Sequence, residues 1–160
     1  MLWRKKISIG LILLIAASCS AVPTDGSSGQ RSLFDPRLGH ISVETQTGRT
    51  EQIFHQQLER LLARSGRAEK VYHLKAMIST SYPTDAVDMT AHITLYDQLE
   101  GREVMNFSIM TSASVGAVTS LFGSEEAKAN ARERLAASLA EKTYHRLFLY
   151  FNANDSSDGS

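Results

Sequence analysis

The chain has 160 residues, 17 Lys+Arg against 17 Asp+Glu, 42% apolar residues and a single cysteine. That length suits one domain with a substantial buried core, and the absence of a basic excess argues against a duplex nucleic-acid binder. One cysteine excludes an intrachain disulfide framework and any structural zinc site built from several thiolates.

Residues 1–18 read as a lipoprotein signal peptide. Arg4, Lys5 and Lys6 precede the uncharged run Ile7 to Ala17, which is shorter than the ~20 apolar residues a bilayer span requires. Ala16-Ala17-Ser18-Cys19 then sets small residues before the cysteine, the pattern of a bacterial lipobox, in which the thiol is acylated and the cysteine becomes the first mature residue. The competing reading is an ordinary signal peptide cut after Ser18 or Ala21. Lipidation is the better account of an unpaired cysteine in an exported chain, and an N-terminal diacylglycerol with further acylation at Cys19 is expected. Several acyl chains together anchor a protein firmly where one does not. Residues 19–36 read as the lipidated cysteine and a flexible tether, because Ser20 to Ser32 is rich in Ser, Gly, Thr and Gln. Ser20 rather than Asp after the cysteine fits the periplasmic face of the outer membrane. Without residues 1–18 the chain holds 14 Lys+Arg against 17 Asp+Glu, so any contact with an anionic partner has to be local.

The domain is predicted over residues 37–151. Ile41 and Val43 alternate with polar neighbours as a short strand. Thr50-Glu51 opens a helix in which Phe54, Leu58, Leu61 and Leu62 share one face, and Gly66 stops it. Three strands follow, with apolar positions Tyr72, Leu74, Ala76 and Ile78 in the first, Val87, Met89, Ala91, Ile93 and Leu95 in the second, and Met105, Phe107 and Ile109 in the third. Paired residues must share a face. Leu74 is therefore expected opposite Leu95, Ile78 opposite Ala91, Leu95 opposite Met105 and Ile93 opposite Phe107. The turns then fall at Pro83 to Ala86 and at Leu99-Glu100-Gly101. Ser112 to Gly123 reads as a loop. Ser124 is expected to cap a helix of about 25 residues, with Glu125 and Glu126 in its first turn and Lys142, His145 and Arg146 towards its end, matching the macrodipole. Residues 152–160 read as a disordered polar tail. The fold class is α+β: a two-layer sandwich of two α-helices on one face of a four-stranded, mostly antiparallel sheet, in the order β-α-β-β-β-α.

Nothing in the spacing is catalytic. The histidines His40, His55, His73, His92 and His145 form no metal-ligand set, there is no phosphate-binding glycine loop or nucleophile elbow, and Cys19 is consumed by lipid. No cofactor is expected. His73, Lys75, Ser79, Thr90, His92, Thr94, Asn106 and Ser108 are left on the second sheet face, which is either solvated or set against another polar surface. Arg60, Arg64, Arg67 and Lys70 read as a solvated helix end. Phosphate contact is better placed at Lys75 and Arg102, where the sheet gives rigid support.

A lipobox, a short tether, a strand, an amphipathic helix, the strand segment Tyr72-His73-Leu74, a meander ending in Leu95-Tyr96-Asp97, a Ser/Ala-rich loop, and Glu125-Glu126-Ala127 opening a long helix that ends in Arg146-Leu147 together resemble the LPS-assembly lipoprotein LptE family, in its alphaproteobacterial form. The likeness spans about residues 38 to 151. The family commonly follows its cysteine with Gly-Phe, where this chain has Ser20-Ala21-Val22-Pro23. The resemblance implies a non-enzymatic outer-membrane lipoprotein with two partners, the β-barrel LptD, which it would plug and help assemble, and lipopolysaccharide, which it would help pass to the outer leaflet. The alternative is a lipid-anchored periplasmic binding module or transporter accessory subunit, which the same sandwich can host.

Overall fold

The computed structural model describes residues 35–45, 47–66, 68–116 and 120–155. The expected signal peptide, Cys19, nearly all of the tether, and Arg67 lie outside the described residues. A 3-10 turn, Pro36–His40, opens the domain and leads into β1 (Ile41–Val43), α1 (Arg49–Leu62), β2 (Tyr72–Ser81), β3 (Ala86–Asp97), β4 (Arg102–Ser114) and α2 (Leu121–Asp155). The strands lie side by side in chain order as one sheet. β1 runs parallel to β2, while β3 is antiparallel to both of its neighbours, β2 and β4, and the parallel step is the one that needs a crossover connection, supplied by α1.

The alternation of apolar residues sets the register as expected. Leu74 pairs with Leu95 and Ile78 with Ala91, and Leu95 pairs with Met105 and Ile93 with Phe107. Both helices cover the same face and pack on each other, and a single core joins Phe54, Leu58 and Leu62 of α1, Leu74 and Ala76 of β2, the odd-numbered row of β3, and Ala131, Leu135, Leu139 and Leu147 of α2. The row Val87, Met89, Ala91, Ile93 and Leu95 is 0% exposed, which makes β3 the centre of the sandwich.

The 3-10 turns Pro36–His40 and Ala63–Ser65 meet closely at Gly39. A Cβ there would lie 2.6 Å from the Gly66 carbonyl oxygen, a backbone atom, so only glycine fits without a shift. Gly66 itself has φ +99°, consistent with its role in ending the helix.

Three expectations about boundaries are corrected. The β3–β4 turn spans residues 98–101 rather than three residues, because Asp97 and Arg102 still pair. The Asp97 carboxylate accepts from the Leu99 and Glu100 N–H groups at 2.8 and 3.1 Å, and Gly101 takes φ +64°. A register shift beside Leu95 and Tyr96 leaves Val104 as a bulged residue, whose carbonyl accepts from the Tyr150 hydroxyl at 3.1 Å. The stretch read as a loop from Ser112 is strand to Ser114, and α2 begins at Leu121. The cap is Ser120, not Ser124: its Oγ accepts from the Gly123 N–H at 3.1 Å, while the Ser124 N–H bonds the Ser120 carbonyl at 3.0 Å. Glu125 and Glu126 thereby fall in the second turn. At the other end helix continues through Asn152–Asp155, where a polar tail was expected, and so His145 and Arg146 sit well short of the C-terminus. The macrodipole match at both ends is lost with these shifts.

Candidate functional site

The candidate surface is the sheet face away from the helices. Because the register is fixed, its side chains form cross-strand rows: His73, Tyr96 and Glu103; Lys75, Thr94 and Asn106; Met77, His92 and Ser108; Ser79, Thr90 and Met110. Most are polar and uncharged. Met77 and Met110 stand out at 63% and 61% exposed, so apolar area interrupts the polar rows.

Two short side-chain networks order this face. His92 Nδ1 and Ser108 Oγ are 2.7 Å apart. The Ser42 hydroxyl donates to the Tyr72 carbonyl at 3.0 Å, lies 3.2 Å from His73 Nδ1, and accepts from the Gln98 amide at 3.3 Å. A nucleophilic Ser–His pair needs a third group to orient the base, and neither imidazole has a carboxylate in that role among its hydrogen bonds. Among the described residues no three His, Cys, Asp or Glu side chains are grouped to hold a metal ion, and no helix is long and apolar enough to cross a membrane.

The two cations singled out for phosphate contact are separated. Lys75 is exposed in the middle of the open face and makes no ion pair among the described residues. Arg102 sits at the β3–β4 turn in the row of Tyr72 and Asp97, on the parity of the buried face, with Nε on the Glu100 carboxylate. That hydrogen bond, together with the negative charges of Glu100 and Asp97, raises the guanidinium pKa. Arg102 is thus already engaged. The helix-end cluster is divided as well: Lys70 Nζ donates to the Gly39 and Ile41 carbonyls at 2.9 Å each, while Arg60 donates to Gln57 at 3.1 Å. On α2, Arg132 donates to the Tyr82 hydroxyl at 3.0 Å.

Sequence reasoning did not find the clasp that joins the two ends of the domain. Asp35 is buried. Its carboxylate caps the opening turn by accepting from the Arg37 N–H at 2.9 Å, and it pairs with the Arg37 guanidinium at 2.7 Å. Arg37 reaches on to the Phe151 carbonyl at 2.7 Å and lies 5.2 Å from the centre of that ring. Phe151 also packs on Tyr72 and Tyr150, with ring centres 5.4 and 5.3 Å away. Burial pushes the Asp35 carboxyl up, but the hydrogen bonds and charge of Arg37 outweigh it and hold the pKa below the usual carboxylate value. Burial raises the Tyr72 phenol, and the Asp97 carboxylate adds to the effect. The available signal was Asp35-Pro36, an N-cap residue followed by proline; nothing local tied it to position 151.

No family model and no curated protein matches the chain. Among solved structures, a protein of Caulobacter crescentus provisionally described as a lipoprotein is 20% identical over 73% of this chain and 93% of its own, with a TM-score of 0.59. A minor lipoprotein of Acinetobacter baumannii is 11% identical over 67% of this chain and 88% of its own, with a TM-score of 0.48. Rare lipoprotein B of Shewanella oneidensis is 17% identical over 72% of this chain and 96% of its own, with a TM-score of 0.42. At these identities the first likeness establishes a shared fold: the sandwich is one that the Caulobacter crescentus protein also adopts.

Proposed function

We propose that this chain is a lipid-anchored, non-enzymatic envelope protein acting as LptE proteins do: held at the periplasmic face of the outer membrane through Cys19, seated in the LptD barrel, and assisting lipopolysaccharide passage. The observation that carries the reading is the open sheet face, a rigid surface mainly of Ser, Thr, Asn and His on the side of the sheet away from the apolar core. A barrel lumen is polar, and the polar rows of such a face can lie against it, with Met77 and Met110 as the apolar exceptions. Local phosphate contact belongs at Lys75, whose ammonium makes no ion pair among the described residues, and less at Arg102, whose charge is already met by Glu100.

Two measurements test this reading. Metabolic labelling with a fatty-acid analogue should mark the wild-type protein and not Cys19→Ala; no label in wild type, or equal label in both, overturns the anchor. Tagged protein extracted from envelopes in mild detergent should carry a very large barrel with it. Extraction without such a partner overturns the barrel reading in favour of a free lipid-anchored binding module.

A further inference from the structure

We infer that the outer edge of β4 is a self-association surface, on which a second copy of this chain adds its own β4 antiparallel about a two-fold axis at Ser108. The inference is independent of the barrel reading, since a closed barrel has no free strand edge to offer.

The phase of the β3–β4 ladder decides which backbone groups face outward. The Val115 N–H bonds the Asp85 carbonyl at 3.0 Å, and hydrogen-bonded pairs alternate along an antiparallel ladder. From Met105 to Ala113, beyond the bulge, odd-numbered residues of β4 therefore spend their N–H and C=O groups on β3. The opposite edge of β3 agrees, because the Gln98 N–H bonds the Val71 carbonyl at 2.9 Å, which turns even-numbered β3 residues to β2 and odd ones to β4. Asn106, Ser108, Met110 and Ser112 consequently direct their main-chain groups away from the sheet, and among the described residues nothing bonds them. Only Val104, at the bulge, has its outward carbonyl covered, by Tyr150.

This edge also lacks the usual protection. Exposed edges are normally kept short, charged, broken by proline or covered. β1, at the other side of the sheet, is three residues long. β4 is 13 residues long, and from Val104 to Ser114 it carries no charge and no proline. The apolar face continues to it unfinished: the β3 row is fully buried, whereas Met105, Phe107 and Ile109 opposite it are only half-buried.

The sequence of β4 fits itself. Ser108 is the midpoint of Arg102–Ser114, so a two-fold there pairs the stretch from Met105 to Thr111 with itself, clear of the bulge, and brings outward-facing residues together in the hydrogen-bonding phase. Ser108 meets its counterpart and Asn106 meets Met110, giving about six main-chain bonds between the copies. On the half-buried face Phe107 then stands opposite Ile109 twice, an aromatic and β-branched pairing that stabilises sheets. No like charges are opposed.

The purified full chain, in density-matched mild detergent, should sediment as a concentration-dependent dimer. Ser108→Lys places two ammonium groups opposite each other and should give a monomer with unchanged circular dichroism, while Ser108→Ala should remain dimeric. In a Cys19→Ala background, Ser108→Cys should oxidise to a disulfide-linked dimer, because hydrogen-bonded antiparallel pairs hold Cα atoms ~5.5 Å apart, within disulfide reach. Thr94→Cys, on the same face of the interior strand, should not. A wild-type monomer at all concentrations, a dimer that survives Ser108→Lys, or equal cross-linking at Ser108 and Thr94 overturns the inference.

Discussion

Asp35 shows how one side chain can do two jobs that a linear reading separates. It caps the opening turn through the Arg37 N–H and fixes the Arg37 guanidinium beneath Phe151. Its pKa is held below the unfolded value near 3.9, so its ionised form stabilises the folded state. The contribution is complete above that unfolded value and is lost as pH falls through the folded one. Asp35→Asn should therefore destabilise at neutral pH by about 1.5–3 kcal/mol, the range for a hydrogen bond to a charged group, and the deficit should shrink as pH falls below the unfolded value. Thermal unfolding of both proteins from pH 7 to pH 2 measures this, and a deficit that stays constant with pH would contradict it. Thr143 is the counterpart on the apolar side. Its hydroxyl is buried without a partner among the described residues, and a polar residue type gave no reason to place it in the stripe of Leu135, Leu139 and Leu147. Of the site residues, Lys75 was legible because strand parity alone exposes it. Arg102 was misplaced on the open face because Val104 breaks the alternation beyond Met105; the adjacent apolar pair Val104-Met105 was the trace of that bulge.

At the scale of elements, what a strict period governs was readable and what a cap governs was not. Strand parity determined the pairings of Leu74, Ile78, Ile93 and Leu95, since a slip of one residue would turn every apolar side chain to water. The start of α2 has no such constraint. Ser120 and Ser124 lie one turn apart, each precedes residues that can be helical, and Gly123 between them resembles a loop residue. Geometry separates the two, for only Ser120 has its hydroxyl on an otherwise unpaired first-turn N–H. Ser120→Ala should lower stability by about 0.5–2 kcal/mol, as loss of an N-cap does. Ser124→Ala, inside the helix, should be neutral or slightly stabilising because alanine is the better helix former. Thermal melts of the two variants measured side by side test the assignment, and the opposite ranking would restore Ser124 as the cap.

Across the whole domain, stability rests on closing a sandwich whose helices cover only one face. The last turn of α2 completes that closure at the β1–β2 end, where Phe151 is 3% exposed between Tyr72, Tyr150 and Arg37. At the first turn of the same helix Phe122 is 90% exposed. The two phenylalanines share a residue type and a helix, and differ in what their removal uncovers. Phe151→Ala deletes a packed ring, leaves a cavity and loosens Arg37 from the chain end; core Phe truncations of this kind cost about 3–5 kcal/mol. Against a total of about 5–15 kcal/mol for an ordinary domain, that is a large share, and at 2–4 °C per kcal/mol for chains of this size the melting temperature should fall by roughly 10 °C. Phe122→Ala removes no packed contact and should shift it by little, within the ~0.5 kcal/mol typical of surface substitutions. The clasp also explains why α2 extends past the point where its polar residues suggested a tail: the Arg37 bond to the Phe151 carbonyl holds that turn, and Asn152 reinforces it by donating to the Phe148 carbonyl at 2.8 Å. Equal melting temperatures for the two variants would show that the helix end is dispensable and that the sandwich closes without it.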